Sequence, residues 1–149
     1  MVKENRIELH VKSIGENISL VRMVVSGFLL PYDLTMEALD EIKIALSEAV
    51  TNSIIHGYGE AEDEEIIVTL QVQNQQLTVQ VADTGVGIDD IAQAMVPAFS
   101  TKMEHMGLGF AFMQTFMDEV IVQSATGQGT TVTMYKQLQM DDISMHRVG

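Results

Sequence analysis

Apolar and polar residues alternate at the start of the chain and then recur at helical spacing. Residues 7–11 alternate strictly, which predicts a half-buried β-strand. A helix is predicted over residues 16–30, because Pro31 cannot continue it. The chain is therefore expected to begin with a strand followed by a helix.

A second helix is predicted over residues 35–56, with Thr35 as its N-cap and Gly57 in a left-handed conformation at its end. The acidic stretch GEAEDEE that follows is predicted to be a solvated loop. Two alternating runs, EIIVTLQVQ and QLTVQVA, meet across Asn74 and Gln75. They predict an antiparallel hairpin.

The second half of the chain has a less regular pattern. A short helix is predicted from Ile91 to Met95, before Pro97. The segment AFSTKMEHMGLG has no clean periodicity and is predicted to be a mobile loop. A helix from about Phe110 to Asp118 should precede two further strands, EVIVQSA and TTVTMYK, and a tail is expected to fray from about residue 138.

The predicted order is β-α-α-β-β-α-loop-α-β-β, without an internal repeat or a linker. In a doubly wound sheet a helical crossover joins successive strands, and the predicted order has more strands than such crossovers account for. We therefore predict a single α+β domain over residues 1–149, a two-layer α/β sandwich in which helices cover one face of a mixed, mostly antiparallel sheet. The pattern leaves open whether the other face is covered or solvated.

Composition and charge narrow the classes of function. The chain is 46% hydrophobic but has no apolar run long enough to span a membrane, and it begins with charged, alternating residues rather than a signal peptide. It has no cysteine, which excludes disulfides and thiolate metal sites. A net charge of −13 disfavours nucleic acid binding and suits either a basic protein partner or solubility alone. A cytoplasmic protein is the simplest interpretation.

A polar stripe runs along the second predicted helix. Glu48, Asn52 and His56 recur every four residues and so form a nearly straight line on its surface. The apolar residues on roughly the opposite side should face the sheet: Leu39, Ile42, Leu46 and Val50. Because apolar residues also border the stripe, it is either an ordinary solvent face or one wall of a site.

Two glycine pairs carry further candidate chemistry. In DTGVGID, Asp83 ends a strand and can accept a hydrogen bond from an amine, while Gly85 and Gly87 permit close approach of a ligand. In HMGLGF, Gly107 and Gly109 should precede a helix, whose free amides bind phosphate well. Each pattern alone is also common in ordinary turns, and neither is a P-loop or a Rossmann fingerprint.

Together these motifs resemble the GHKL ATP-binding family, which includes gyrase, Hsp90, MutL and histidine kinases and has the Bergerat-type two-layer fold. The motifs are Glu-x-x-x-Asn on a helix, Asp-x-Gly-x-Gly after a strand, a Thr-Lys loop and a Gly-x-Gly pair, in that order. Within the family the chain is similar to the anti-sigma kinases over about residues 5–136. The stretches SEAVTNSIIHGY, DTGVGI, FSTK, GLGF, FMDEVIV and GTTV carry this similarity, and they favour the sporulation (sigma F) type over the general-stress (sigma B) type.

The resemblance implies roles for individual residues toward ATP or ADP. Glu48 would be the general base for the serine hydroxyl of a protein substrate, and Asn52 would hold Mg²⁺ against the phosphates. Asp83 would accept the amino group of adenine. The other residues that would bind the nucleotide are Gly85, Gly87, Ser100, Thr101, Lys102, Gly107, Leu108, Gly109 and Thr130. His56 would have a structural role.

The resemblance also implies protein partners. The protein would inhibit a sigma factor and phosphorylate an anti-anti-sigma factor on serine, and Arg22 would contact a partner unless it is simply a solvated arginine. The family works as a homodimer through its first strand and first helix. The apolar residues there would form either that interface or core: Ile7, Leu9, Val11, Leu20, Val21, Val24 and Phe28.

One stretch departs from the family pattern. Only MEHM separates Lys102 from Gly107, where the family has a longer segment with Arg and Ser. Such a shortened lid would hold the γ-phosphate less firmly, which affects the efficiency of transfer more than nucleotide binding. The alternatives are therefore a nucleotide-gated sigma-binding module with little or no turnover and, with less support, a stand-alone ATPase.

Overall fold

The computed structural model describes residues 3–88, Ile91 and 101–138, with side chains from Gly107 onward in the last range. The strands in this part of the chain are β1 (Asn5–Lys12), β2 (Glu65–Gln73), β3 (Gln76–Asp83), β4 (Glu119–Ser124) and β5 (Thr130–Gln137). The α-helices are α1 (Glu16–Leu29), α2 (Met36–Asn52) and α3 (Thr101–Phe116). A 3₁₀ turn, Leu30–Tyr32, follows α1, and a π-helical turn, Ser53–Gly57, follows α2.

The strands form one sheet in the order β1-β2-β3-β5-β4. Each of these neighbouring pairs is antiparallel, so the predicted mixed sheet is antiparallel throughout its described pairings. The reason is that β5 lies between β3 and β4 and separates two strands that run in the same direction. The predicted two-layer α+β fold is confirmed.

One face of the sheet packs against the helices and forms the core. In β2 every second residue is fully buried on that face: Ile66, Val68, Leu70 and Val72. On α2, Ile42, Leu46 and Val50 are fully buried as predicted from their spacing. The opposite sheet face carries mainly Thr and Gln, and there the Gln80 side-chain amide donates to Thr133 Oγ1 at 3.1 Å. The helix-covered face therefore supplies the core.

Several local predictions are confirmed. The helix α1 ends before Pro31, and Thr35 Oγ1 caps α2 by accepting the Ala38 N–H at 3.1 Å. Asn74 and Gln75 have positive φ angles of 53° and 64°, as the two central residues of a type I′ hairpin turn require.

Two local predictions are wrong. Gly57 is not left-handed; α2 continues into the π-helical turn, and positive φ angles occur instead at Gly59 and Glu60. The segment predicted as a loop up to Gly109 is helical over its described part, because α3 begins at Thr101 rather than near Phe110. Met, Glu and Leu are strong helix formers and here outweigh two glycines.

Other predictions lie outside the described residues or have mixed outcomes. Ile91 is helical, but the rest of the helix predicted up to Met95 lies outside the described residues, as does the tail beyond residue 138. The apolar residues of β1 and α1 divide into buried core (Val11, Val21, Phe28), partly buried positions against it (Ile7, Leu9, Val24) and the 47% exposed Leu20. None of the helices in the described ranges is long and apolar enough to cross a membrane.

The sheet face opposite the helices carries a charged network at the β1 edge. His10 Nε2 lies 2.7 Å from Glu8 Oε1, its Nδ1 lies 3.1 Å from Glu65 Oε1, and Arg6 pairs with Glu8 at 3.4 Å. The hydrogen bond with Glu8, followed by that with Glu65, raises the pKa of His10, and the bond with His10 lowers the pKa of Glu8. A charged edge strand also discourages pairing with another chain.

Because the pKa of folded His10 is raised, the network stabilises the fold fully below the ordinary histidine pKa and loses this contribution as pH rises through the raised value. We expect an NMR titration to give His10 a pKa above its usual value of about 6.5. Glu8→Gln should bring the pKa back toward that value. Glu119→Gln, on the opposite edge strand, is the control, and an unchanged His10 pKa in Glu8→Gln would contradict the assignment.

Candidate functional site

A cleft lies between the end of α2, the end of β3, the start of β5 and the helix α3. Its polar lining comes from Asn52, Ser53, His56, Asp83 and Thr130, and its apolar walls include Ile88, Phe110 and Val132. The π-helical turn contributes to this lining directly after Asn52. Such a turn inserts one extra residue into a helix and is common at functional sites.

The Asp83 carboxylate is held in one orientation at the base of the cleft. Its Oδ1 accepts the backbone N–H groups of Gly85 at 3.0 Å and Thr130 at 3.2 Å, while its Oδ2 accepts the Ser53 hydroxyl at 2.7 Å. Asp83 is only 7% exposed. An ionised carboxylate has about four lone-pair sites, so this one retains acceptor capacity for a ligand donor such as an amine.

Sequence analysis did not identify Ser53. A signal was available, because Ser53 is a small polar residue next to Asn52 in an otherwise apolar part of the helix. Its partner Asp83 is 30 positions away in sequence, so only the fold shows that the two side chains meet.

Two backbone segments touch beside Asp83 at glycine positions. A Cβ atom on Gly85 would lie 2.0 Å from the carbonyl oxygen of Gly57, which accepts the Val86 N–H at 2.9 Å. A Cβ atom on Gly57 would lie 3.0 Å from the Asp83 carboxyl group. Gly57, the first glycine of the HGYG stretch, is therefore constrained by this close packing and not by a left-handed helix end.

The second glycine of the Asp-x-Gly-x-Gly motif packs against the β4–β5 connection. Gly87 has a φ of +80°, and a Cβ atom there would lie 2.1 Å from the Ala125 carbonyl oxygen. The Val86 carbonyl accepts the Gly127 N–H at 2.6 Å, and the Ser124 hydroxyl accepts the Ile88 N–H at 2.8 Å. The motif is thus fixed on both sides, by the π-helical turn and by the β4–β5 connection.

Glu48 and Asn52 face the helix α3. A Cβ atom on Gly109 would lie 2.9 Å from Glu48 Oε2 and 3.3 Å from Asn52 Nδ2, so α3 approaches both side chains closely. Asn52 is 7% exposed, and neither its Oδ1 nor its Nδ2 has a hydrogen-bond partner among the described residues. A buried amide without partners costs about 1–3 kcal/mol, which identifies Asn52 as a group suited to a ligand.

The unpartnered Asn52 amide oxygen suits a magnesium ion. Oxygen atoms are the donors that Mg²⁺ prefers, and the metal usually takes few protein ligands together with substrate phosphates and water. In the described part of the chain no group of three or more His, Asp or Glu side chains could hold a metal by itself. A metal at Asn52 would therefore share its coordination with the ligand.

The remaining residues predicted to bind the nucleotide lie in α3 or outside the described residues. Gly107 and Gly109 lie inside α3 rather than before it, where an amide normally bonds the carbonyl four residues earlier and is not free for phosphate. Leu108 is 45% exposed and does not line the cleft. Ser100 lies outside the described residues, and the backbones of Thr101 and Lys102 form the start of α3.

Arg22 is not part of the cleft. It is exposed on α1 and lines a separate surface groove between α1 and α2. Lys43 on α2 also lines this groove, together with Ser19, Met23 and Ser26. The groove places two cations on the surface of an otherwise acidic protein.

Residues 12–136 match the family described as the histidine kinase-like ATPase domain. The chain belongs to this family. It is 45% identical over 141 residues to the anti-sigma F factor of Thermoanaerobacter pseudethanolicus, covering 92% of this chain and 96% of that relative. The anti-sigma F factors of Pasteuria penetrans (42% identical, 93% and 94% covered) and Clostridium novyi strain NT (41% identical, 91% and 96% covered) are similar over the same extent. The chain is therefore a member of the anti-sigma F factor family, and the resemblance stated from the motifs is confirmed.

Solved structures support the same fold. The crystal structure of the RsbU and RsbW domains of a Mycobacterium tuberculosis protein matches 90% of this chain with a TM-score of 0.65 and 19% identity, and this chain covers 32% of it. The blue-light activated histidine kinase EL346 of Erythrobacter litoralis matches 84% of this chain with a TM-score of 0.58 and 19% identity. This chain covers 42% of that structure. At this level of identity both matches concern the fold.

The contact at Gly85 predicts opposite effects for two glycine substitutions. Gly85→Ala should destabilise the protein by about 1–3 kcal/mol or more, because its methyl group would meet the Gly57 backbone. Gly27→Ala, inside α1 with nothing within 4 Å of its Cβ position, should stabilise it by about 0.5–1 kcal/mol. Urea unfolding of both variants tests this, and a neutral Gly85→Ala would contradict the close contact.

Proposed function

We propose that this protein is an anti-sigma factor of the sigma F type and an ATP-dependent protein serine kinase. It binds and inhibits a sporulation sigma factor, and it phosphorylates the corresponding anti-anti-sigma factor on serine. Membership of the anti-sigma F factor family over more than 90% of the chain supports the first activity. The observation that carries the second is that Asn52 and Asp83 line one cleft of a histidine kinase-like ATPase domain, with Glu48 beside Asn52 against α3.

The base of the cleft supports adenine binding. Asp83 is held by two backbone amides and the Ser53 hydroxyl, so its remaining lone pairs accept the exocyclic amine of adenine. Thr130, paired with Asp83 across β3 and β5, borders the same position.

Asn52 supports a magnesium ion at the phosphates. Its buried amide oxygen, which has no partner among the described residues, would hold Mg²⁺, and the metal would supply positive charge to the phosphates of ATP. In the described conformation α3 lies against Glu48 and Asn52 through Gly109. Thr101, Lys102 and Gly107 belong to α3, so their backbone amides would serve the phosphates only if the first turns of α3 unwound or moved away.

Glu48 supports the transfer step. Its carboxylate takes the proton from the hydroxyl of the acceptor serine while that oxygen forms a bond to the γ-phosphorus. The bond between the γ-phosphorus and the β,γ-bridging oxygen breaks, and ADP leaves with the electron pair. Glu48 lies one helical turn before Asn52, so the base and the metal ligand act on the same phosphate end of the cleft.

The groove between α1 and α2 supports protein partners. Arg22 and Lys43 present positive charge beside the exposed Met23, an arrangement suited to a partner helix that carries acidic and apolar residues. The protein is expected to act as a homodimer, with the exposed Leu20 available to the interface, in the cytoplasm and without nucleic acid contacts of its own.

A second candidate function is a nucleotide-gated sigma-binding module with little turnover. It is favoured by the conformation of α3, which lies close to the partly exposed Glu48 at Gly109. A module of this kind would bind ATP stably and form no phosphoserine on the anti-anti-sigma factor. Incubation with Mg-ATP and that factor, followed by mass spectrometry, distinguishes the two functions.

Substitution of the base separates binding from chemistry. Glu48→Gln should bind ATP with an affinity near wild type but lose about 10²–10⁴-fold in the rate of phosphoserine formation, which is the range for a positioned general base. The rate is measured with radiolabelled ATP and the anti-anti-sigma factor. Glu37→Gln, at the exposed start of the same helix, should keep the wild-type rate. Undiminished transfer by Glu48→Gln would eliminate Glu48 as the base.

Substitution of Arg22 separates partner binding from nucleotide binding. Arg22→Ala should weaken binding of the sigma factor by about tenfold or more, because arginines are frequent energetic centres of interfaces. Its ATP affinity should stay within twofold of wild type, about 0.4 kcal/mol, since the groove is separate from the cleft. Titration calorimetry measures both, with Arg6→Ala on the sheet edge as control. Equal sigma binding by the two variants would rule out Arg22 as a partner contact.

A further inference from the structure

The hydroxyl of Tyr58 joins two distant parts of the chain beside the cleft. It donates to the carbonyl oxygen of Glu65, the first residue of β2, at 2.6 Å. It accepts the backbone N–H of Thr84 at 2.7 Å and also lies 3.3 Å from Thr84 Oγ1. Both the donor and the acceptor capacity of this hydroxyl are therefore used on backbone groups.

Tyr58 holds the Asp83–Thr84 peptide, which directly precedes the peptide whose N–H orients Asp83. Thr84 follows Asp83 directly, and the next amide, that of Gly85, donates to Asp83 Oδ1 at 3.0 Å. If the Thr84 peptide rotated, the Gly85 amide would no longer point at Oδ1. Ser53 binds only the other oxygen, Oδ2. The Thr130 N–H also donates to Oδ1, at 3.2 Å, so the direction of the free carboxylate lone pairs depends on the position of Thr84 together with this bond from β5.

The phenol ring and its hydroxyl have separable roles. The ring is partly buried and packs against the hydrophobic core, and a phenylalanine would preserve that packing. Thr84 is exposed, so its N–H finds water when the tyrosine hydroxyl is removed. The main consequence of losing the hydroxyl is therefore a less restricted Thr84–Gly85 turn rather than a damaged core.

We infer that Tyr58 is a positioning residue for base recognition, which holds the turn after β3 so that Asp83 presents its free lone pairs to the exocyclic amine of the bound purine. This inference rests on the proposed function, because that function makes adenine the ligand of Asp83. It adds a residue that does not line the cleft. Its effect is selective, since it concerns the amine and not the phosphates.

The test compares two nucleotides that differ at the amine. Calorimetry gives the dissociation constants of ATP and of purine riboside triphosphate, which lacks the exocyclic amine. Wild type should prefer ATP by about tenfold or more, as expected for a hydrogen bond to a charged group. Tyr58→Phe should reduce that preference to about threefold or less, through weaker ATP binding, with the affinity for purine riboside triphosphate changed by less than about twofold.

Tyr32→Phe is the matched control. Tyr32 is 2% exposed, and its hydroxyl donates to the Lys3 carbonyl at 2.5 Å. Neither Tyr32 nor Lys3 lines the cleft. This variant also loses one tyrosine hydrogen bond to the backbone, so it reports what such a loss does to stability alone. It should retain the wild-type preference for ATP. Thermal unfolding of all three proteins shows that the binding data come from folded protein.

The possible outcomes separate the inference from the function on which it rests. A wild-type preference for ATP that persists in Tyr58→Phe overturns the role of Tyr58 and leaves ATP binding intact. An equal loss of affinity for both nucleotides in Tyr58→Phe also overturns it, because that result is typical of a purely structural residue. Failure of wild type to bind ATP contradicts the proposed function itself, and the inference with it.

Discussion

The site depends on how closely two backbone segments approach each other. Gly57 ends the π-helical turn after α2 and Gly85 follows β3. A Cβ atom on Gly85 would overlap the Gly57 carbonyl oxygen, and one on Gly57 would lie 3.0 Å from the Asp83 carboxyl group. This contact brings the end of α2, with Asn52 and Ser53, against the end of the strand that carries Asp83. The separation between the polar groups is therefore fixed by main-chain packing, which is far less adjustable than side-chain packing.

The rest of the cleft follows from that contact. With Gly57 against the Asp83 carboxyl group, Ser53 is close enough to donate to Oδ2, and the amides of Gly85 and Thr130 converge on Oδ1. The sheet contributes because β5 pairs directly with β3, which places Thr130 opposite Asp83. Insertion of β5 between β3 and β4 is thus both the reason for the antiparallel sheet and the source of one wall of the site.

Much of the fold could be predicted because it has strong periodic signals. The alternation in β2 and β3, the turn at Asn74 and Gln75 and the apolar stripe of α2 depend on neighbours close in sequence. The motif residues Glu48, Asn52 and Asp83 were also predicted, although their roles remain proposals. The contacts of Ser53 with Asp83 and of Tyr58 with Thr84 join residues 30 and 26 positions apart, so only the fold shows them.

The two incorrect predictions, at Gly57 and at the start of α3, also have physical causes. Gly57 was interpreted by the rule for helix ends, whereas its real constraint is the Asp83 carboxyl group, which the local sequence does not contain. The start of α3 lies earlier than predicted because the prediction depends on periodicity, which the segment AFSTKMEHMGLG lacks. The neighbours of Gly107 and Gly109 favour a helix, and a glycine at position 109 also allows α3 to lie directly against Glu48 and Asn52.

The position of α3 also has two energetic costs. Each glycine in the helix costs about 1 kcal/mol relative to alanine, and covering the unpartnered Asn52 amide costs about 1–3 kcal/mol more. A nucleotide with its metal would relieve both costs, because it supplies a partner for Asn52 and acceptors for amides released from α3. A ligand shifts such an equilibrium by its differential affinity for the two states. The same residues that make α3 a weak cover would thus make phosphate binding the event that opens it and exposes Glu48 to an acceptor hydroxyl.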